Sequence, residues 1–154
     1  MTTLTSDNLG RNVPIYLRNV LRNSLTDPLS RSGLWIYKSI PSRDVIERDG
    51  LPVVIVNLVH KRKENLAVKR GKQKPVELRV ECLVWAKSLS DRDTIGDQIE
   101  QLFETPTSTD GTTTIENQAL AHLDSISTVE DDFTFNHPDV IRMRRVITNW
   151  KYIG

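Results

Sequence analysis

The sequence predicts an α+β fold, a mainly antiparallel sheet with two helices packed on one face and a long basic β-hairpin arm. Three observations lead there. Residues 76–84 alternate strictly: Val76, Leu78, Val80, Cys82 and Val84 fall on one side and Glu77, Arg79 and Glu81 on the other, the period-2 pattern of a half-buried strand. Residues 53–59 run Val-Val-Ile-Val-Asn-Leu-Val, nearly continuous in β-branched side chains, as suits a central strand covered on both faces. Two other stretches, 12–25 and 90–103, space their apolar residues at helical intervals instead. Laying both helices on one face of the sheet buries these stripes together.

The elements follow in chain order. Residues 1–11 are polar and predict a flexible N-terminal arm, long enough to reach a neighbour, ahead of a single domain over 12–154. From Asn12, a candidate N-cap, Val13, Leu17, Val20, Leu21 and Leu25 form an amphipathic helix with Pro14 in its first turn. Asp27-Pro28 stops it, because the residue before proline is pushed out of the α region. Residues 30–33 then form a turn, 34–37 (Leu-Trp-Ile-Tyr) a short aromatic strand, and 41–50 a charged connection. Pro52 starts the next strand where a missing N–H does least harm. Beyond the hairpin, Ser90 caps a second helix with acids in its first turn, and Ile95, Ile99, Leu102 and Phe103 make its apolar stripe. That helix ends before Pro106, and the Thr/Ser/Gly-rich stretch 105–114 is a solvent loop. Residues 119–128 predict a strand, with a helix as the competing assignment, and 140–152 a long terminal strand carrying Arg142, Arg144 and Arg145.

Composition sets the outer limits. A chain of 154 residues can build one domain with a real core and is short for two. The net charge of +1 predicts no general affinity for nucleic acid, although it conceals a local imbalance between a basic turn and acids elsewhere. A single cysteine excludes an internal disulfide, and its place in the alternating strand makes it a core thiol of a protein used in a reducing compartment. No stretch approaches the roughly 20 apolar residues of a membrane span, and the N-terminus lacks a signal-sequence pattern.

Catalytic patterns are sparse. His60, His122 and His137 fall in unrelated segments without a metal-ligand spacing, and no phosphate loop, nucleophile elbow or Cys-x-x-Cys occurs. Glu77, Glu81 and Lys87 distantly resemble the carboxylate-and-lysine set of metal-dependent nucleases, but there the acid and lysine sit two residues apart. Alternating charges on a solvated or interface sheet face account for them better. The expectation is therefore a protein without enzymatic turnover, metal or cofactor.

The informative stretch is the turn between the two central strands. It carries Lys61, Arg62, Lys63, Lys69, Arg70, Lys72 and Lys74 against the single acid Glu64, and its length makes it an arm that projects from its own core. Without an aromatic residue between His60 and Lys74, it is not built to stack bases. Three roles remain open: a solvated tip, an electrostatic contact with an acidic protein surface, or a contact with nucleic acid. Glu130, Asp131 and Asp132 are candidate counter-charges between subunits.

Across residues 12–152 the order of elements resembles that of the small tail-terminator, or tail-completion, proteins of tailed bacterial and archaeal viruses. The resemblance rests on the helix ending in Leu25-Thr26-Asp27-Pro28, the Trp-Ile-Tyr strand, the strand Leu51-Pro52-Val53-Val54-Ile55-Val56, the long hairpin, the helix at 90–103 and two closing strands. It implies a non-enzymatic virion component, assembled in the host cytoplasm, that forms a hexameric ring on the tail tube. Its implied partners are further copies of itself, the tail tube protein and the neck, head-completion or connector protein, with passing DNA as a non-specific contact and no membrane. The resemblance transfers no functional residue. Two alternatives stand beside it: another neck component, such as a head-completion or adaptor protein, and a nucleic-acid-binding module or nuclease using the hairpin at 60–74.

Overall fold

The computed structural model describes residues 3–31, 34–63, 76–135 and 140–154. Its elements are α1 (Leu9–Ser24), β1 (Ile36–Tyr37), α2 (Arg43–Asp49), β2 (Val53–Lys63), β3 (Val76–Ala86), α3 (Leu89–Glu104), a 3-10 turn at Glu116–Gln118, β4 (Leu120–Val129) and β5 (Arg142–Tyr152). The strands form one sheet in the order β1-β2-β3-β5-β4. Every pairing is antiparallel except β1 with β2. The predicted α+β class and the two helices on one face are observed.

Alternation in β3 splits the interior in two. Val76, Leu78, Val80, Cys82 and Val84 join Val54, Val56, Val146 and Trp150 beneath α1 and α3, meeting Ile95, Ile99 and Phe103. Leu83 and Trp85 point the other way, into a smaller core with Val53, Ile55, Ile141 and Ile46 of α2. The run 53–59, predicted to be covered on both faces, is so only over residues 53–56; Asn57 and Leu58 are half-buried and Val59 is exposed, because β1 and α2 reach only the start of the strand. Trp150 is fully buried, lies edge-on to Phe103 at 5.4 Å between ring centroids, and donates to Thr148 Oγ1 at 2.7 Å. Thr148 in turn donates to the Val80 carbonyl at 3.1 Å, so this buried polar chain is satisfied.

Several boundaries differ from the sequence expectation. The first helix starts at Leu9, three residues before the predicted cap, because Thr5 and Asn8 close a turn: the Thr5 N–H donates to Asn8 Oδ1 at 2.9 Å. The predicted flexible arm is anchored over its described part. Leu4 and Leu9 are buried, the Leu4 N–H donates to Gln118 Oε1 at 3.0 Å, and the Tyr152 hydroxyl donates to the Leu4 carbonyl at 3.2 Å. Two apolar side chains in a polar stretch sufficed for this. Pro14 lies inside the helix rather than in its first turn.

The charged connection contains a two-turn helix, α2. Ser42 Oγ accepts the Val45 N–H, and Gly50 ends the helix at φ 81°, a conformation that suits a residue without Cβ. A helix of seven residues that buries only Ile46 leaves too little periodicity to detect. The cap of α3 is Ser88, which accepts the Asp91 N–H at 3.1 Å, rather than Ser90. The ambiguous stretch at 119–128 is strand β4.

Candidate interaction surface

Among the described residues, the face of the sheet opposite α1 and α3 is covered only at one end, by α2 and by Phe133 and Phe135, which pack on Trp85. At the other end β2, β3 and β5 present charged side chains to solvent, paired across strands as register dictates. Arg62 reaches Glu77 at 3.2 Å. Arg79 donates to Asn149 Oδ1 at 3.0 Å, and Asn149 donates to Asp124 of β4. Arg145 contacts Glu81 at 2.8 Å and Glu130 at 3.6 Å. Exposed pairs of this kind contribute about 0.2–1 kcal/mol each. They position the charges more than they stabilise the fold.

Of the predicted basic arm, Lys61 and Arg62 are exposed at the end of β2, and Lys63 closes the strand opposite Val76. Lys69, Arg70, Lys72 and Lys74 lie outside the described residues. Glu130, Asp131 and Asp132 follow β4. Two of these acids already have partners in their own chain, Glu130 with Arg145 and Asp132 with Arg142 at 2.7 Å. Register separates the two charged groups. Lys63 is level with Val76, Tyr152 and Leu120, whereas Val129 is level with Arg144, Val84 and Val54 at the opposite end of the sheet. Basic strand end and acidic segment therefore sit at opposite ends of one protomer.

The remaining candidates are taken up by the fold or stand alone. Glu77 and Glu81 pair with arginines rather than with each other, and no group of three His, Cys, Asp or Glu among the described residues could hold a metal ion. His60 is exposed on β2, and His137 lies outside the described residues. His122 stacks edge-on to Trp150, with Nε2 2.8 Å from Ser125 Oγ, and burial lowers its pKa below the ordinary imidazole value. Cys82 is fully buried, which pushes its thiol far above the usual range and leaves it unreactive in the folded state.

The contacts of two arginines escaped sequence reading. Arg144 projects from β5 onto α3, where it donates to the Asp93 carbonyl at 3.0 Å, Asp97 at 2.9 Å and Glu100 at 3.3 Å, and it also donates to Ser127 Oγ of β4 at 2.6 Å. Arg31 ties the β1–α2–β2 corner together. It is bidentate on Asp27, donates to the Gly50 and Pro52 carbonyls at 2.9 and 2.7 Å, and lies over the Trp35 ring. The i,i+4 spacing of Asp27 and Arg31 was the available signal.

An open groove of about 480 Å³ runs beside the free part of β2, lined by Arg11 and Pro14 of α1, Lys38 after β1, and residues 56–59. Arg11 and Lys38 outnumber its one carboxylate, Glu81, and the lining holds no nucleophile and no pair of general bases. No described helix is long and apolar enough to cross a membrane. The arrangement is equipped for contacts between proteins or with polyanions. No protein-family model and no curated protein sequence matches the chain.

Proposed function

We propose that this protein is a non-enzymatic virion component, a tail terminator that forms a ring, a hexamer on the family pattern, at the end of a tail tube and joins it to the neck. The observation that carries the reading is the order of elements: an amphipathic helix, a short aromatic strand, a two-turn helix, two long strands that a basic stretch joins, a further helix and two closing strands in one sheet. Its partners would be further copies of itself, the tail tube protein and a head-completion or connector protein. The exposed cations at the end of β2 support a role for the arm in assembly first and in DNA passage second. Within one protomer Arg62 meets Glu77, while Glu130, Asp131 and Asp132 follow β4 at the other end of the sheet, and a ring would repeat each weak contact between copies around its axis.

The second reading, a nucleic-acid-binding module, draws on the same cluster of Lys61 and Arg62. Light scattering and native mass spectrometry separate the two. A hexamer whose assembly weakens when Lys61, Arg62, Lys63, Lys69 and Arg70 are replaced by Ser, with the protomer still folded and the salt sensitivity of assembly reduced, supports the ring. A monomer that shifts DNA at moderate salt supports the module, and full particle completion by the substituted protein refutes the role given to the arm.

A further inference from the structure

The sheet ends in two edges that no other described strand covers, and they are matched in direction and height. On one side β1 pairs only with Val54 and Ile55, which leaves β2 open over residues 56–63. On the other side β4 is open along its length. Unpaired strand edges present rows of N–H and C=O groups that template the addition of another strand. Successive antiparallel pairings of β2 with β3, β3 with β5 and β5 with β4 make β2 and β4 run in opposite directions. A copy that continues the sheet therefore lays its β4 antiparallel to the free β2.

Heights match as well. The ladder rows Lys63–Val76–Tyr152–Leu120 and Val56–Cys82–Val146–Ser127 bound both open segments, so residues 56–63 and 120–127 span the same rows. Each segment contains one bulge, at Val59 and at Leu123, and the two bulges flank the same row, His60–Arg79–Asn149–Asp124. Both bulged side chains are aliphatic and half exposed, Val59 at 51% and Leu123 at 50%. One acid of β4 falls on a row of the open β2 segment: Asp124 is level with His60, whereas Lys61, Arg62 and Lys63 are level with His122, Ala121 and Leu120.

We propose that the chain self-associates head to tail, the β4 edge of one copy adding to the free β2 edge of the next. The joint sets Asp124 beside His60, brings Leu123 against Val59, and carries the acids that follow β4 towards Arg11 and Lys38 of the basic groove. Unlike a two-fold contact, this joint uses two different surfaces and propagates until it closes. The inference deepens the ring reading by naming the joint, and it rests on that reading only for closure.

Cross-linking tests it on the full chain. Val59→Cys and Leu123→Cys are substitutions of exposed residues, and the buried Cys82 stays out of reach of a mild oxidant. After treatment with diamide, an equimolar mixture of the two single variants should give a covalent dimer, and each variant alone should remain monomeric on a non-reducing gel. The double variant should give a ladder that ends in a closed species. A mixture that forms no dimer, or single variants that couple to themselves as well as the mixture does, overturns the proposal. A hexamer in solution without the cross-link refutes the joint and spares the ring, while a ladder that never closes spares the joint and refutes the ring.

Discussion

Replacing Gly96 with Ala should destabilise this protein, against the usual sign for a helix interior. Gly96 lies in the middle of α3, where alanine normally gains about 0.5–1 kcal/mol through lower backbone entropy in the unfolded chain. Here a Cβ would stand 2.7 Å from Cδ, Nε and Cζ of Arg144, well inside van der Waals contact. The guanidinium cannot swing aside freely, because it is buried and held by Asp97, Glu100, Ser127 and the Asp93 carbonyl. Hydrogen bonds to charged groups contribute about 1.5–3 kcal/mol each, with exposed Asp97 at the low end or below. Losing one or two on displacement outweighs the helix gain and leaves a net loss of about 1–3 kcal/mol, or roughly 2–10 °C in Tm for a domain of this size. In an Arg144→Ala background the obstacle is gone, and Gly96→Ala should stabilise by about 0.5–1 kcal/mol. Urea titrations of the four proteins in this cycle read the sign change directly. A stabilising Gly96→Ala in the otherwise unaltered chain would refute the argument that the arginine occupies the space above the glycine.

Two further outcomes concern the core and pH. Val80→Asp places a carboxylate in the fully buried layer beneath α3 and should cost several kcal/mol, whereas Glu77→Ala on the exposed face removes only the pair with Arg62 and should cost under about 1 kcal/mol; equal melting temperatures would mean that the strand faces are inverted. For Asp27, burial would raise the pKa, but the Arg31 hydrogen bond and the Leu29 and Arg31 backbone N–H groups outweigh it and hold the carboxyl below the usual range. A depressed pKa of this kind stabilises fully above the unfolded value of about 3.9, and the contribution is lost as pH falls through the folded value. Asp27→Asn should therefore lower stability near neutrality and flatten the acid limb of Tm against pH below about pH 4, and an unchanged acid limb would remove Asp27 from that role.

Features carried by periodicity were legible in the sequence, and those carried by single long-range contacts were not. The period of β3 assigned Val80 and Cys82 to one side, and the β-branched run of β2 marked its first four residues as covered twice over. Both follow from local patterning that a sheet enforces at every second residue. By contrast, α2 depends on one buried isoleucine, and the anchoring of the N-terminal segment on Leu4 meeting Gln118 and Tyr152, residues 114 and 148 positions away. Such partners leave no trace in spacing. The same holds for the interaction surface. The basic cluster was visible as composition, but its separation from Glu130, Asp131 and Asp132 follows from register, and so does the shared height of the two open edges.

The one-sided cover at the hairpin end has a mechanical consequence. Within β2 and β3 neither glycine nor proline interrupts the 11 residues of each strand, and the ladder between them is continuous except at Val59. A push on the hairpin end is thus delivered along both strands into the end of the sheet where α2 and the aromatic cluster of Trp85, Phe133 and Phe135 lock the opposite side. The bulge at Val59, past the doubly covered half and before the first cation of the arm, is where such a load turns into bending. The described ends of β2 and β3 form a lever with its fulcrum at one extra residue.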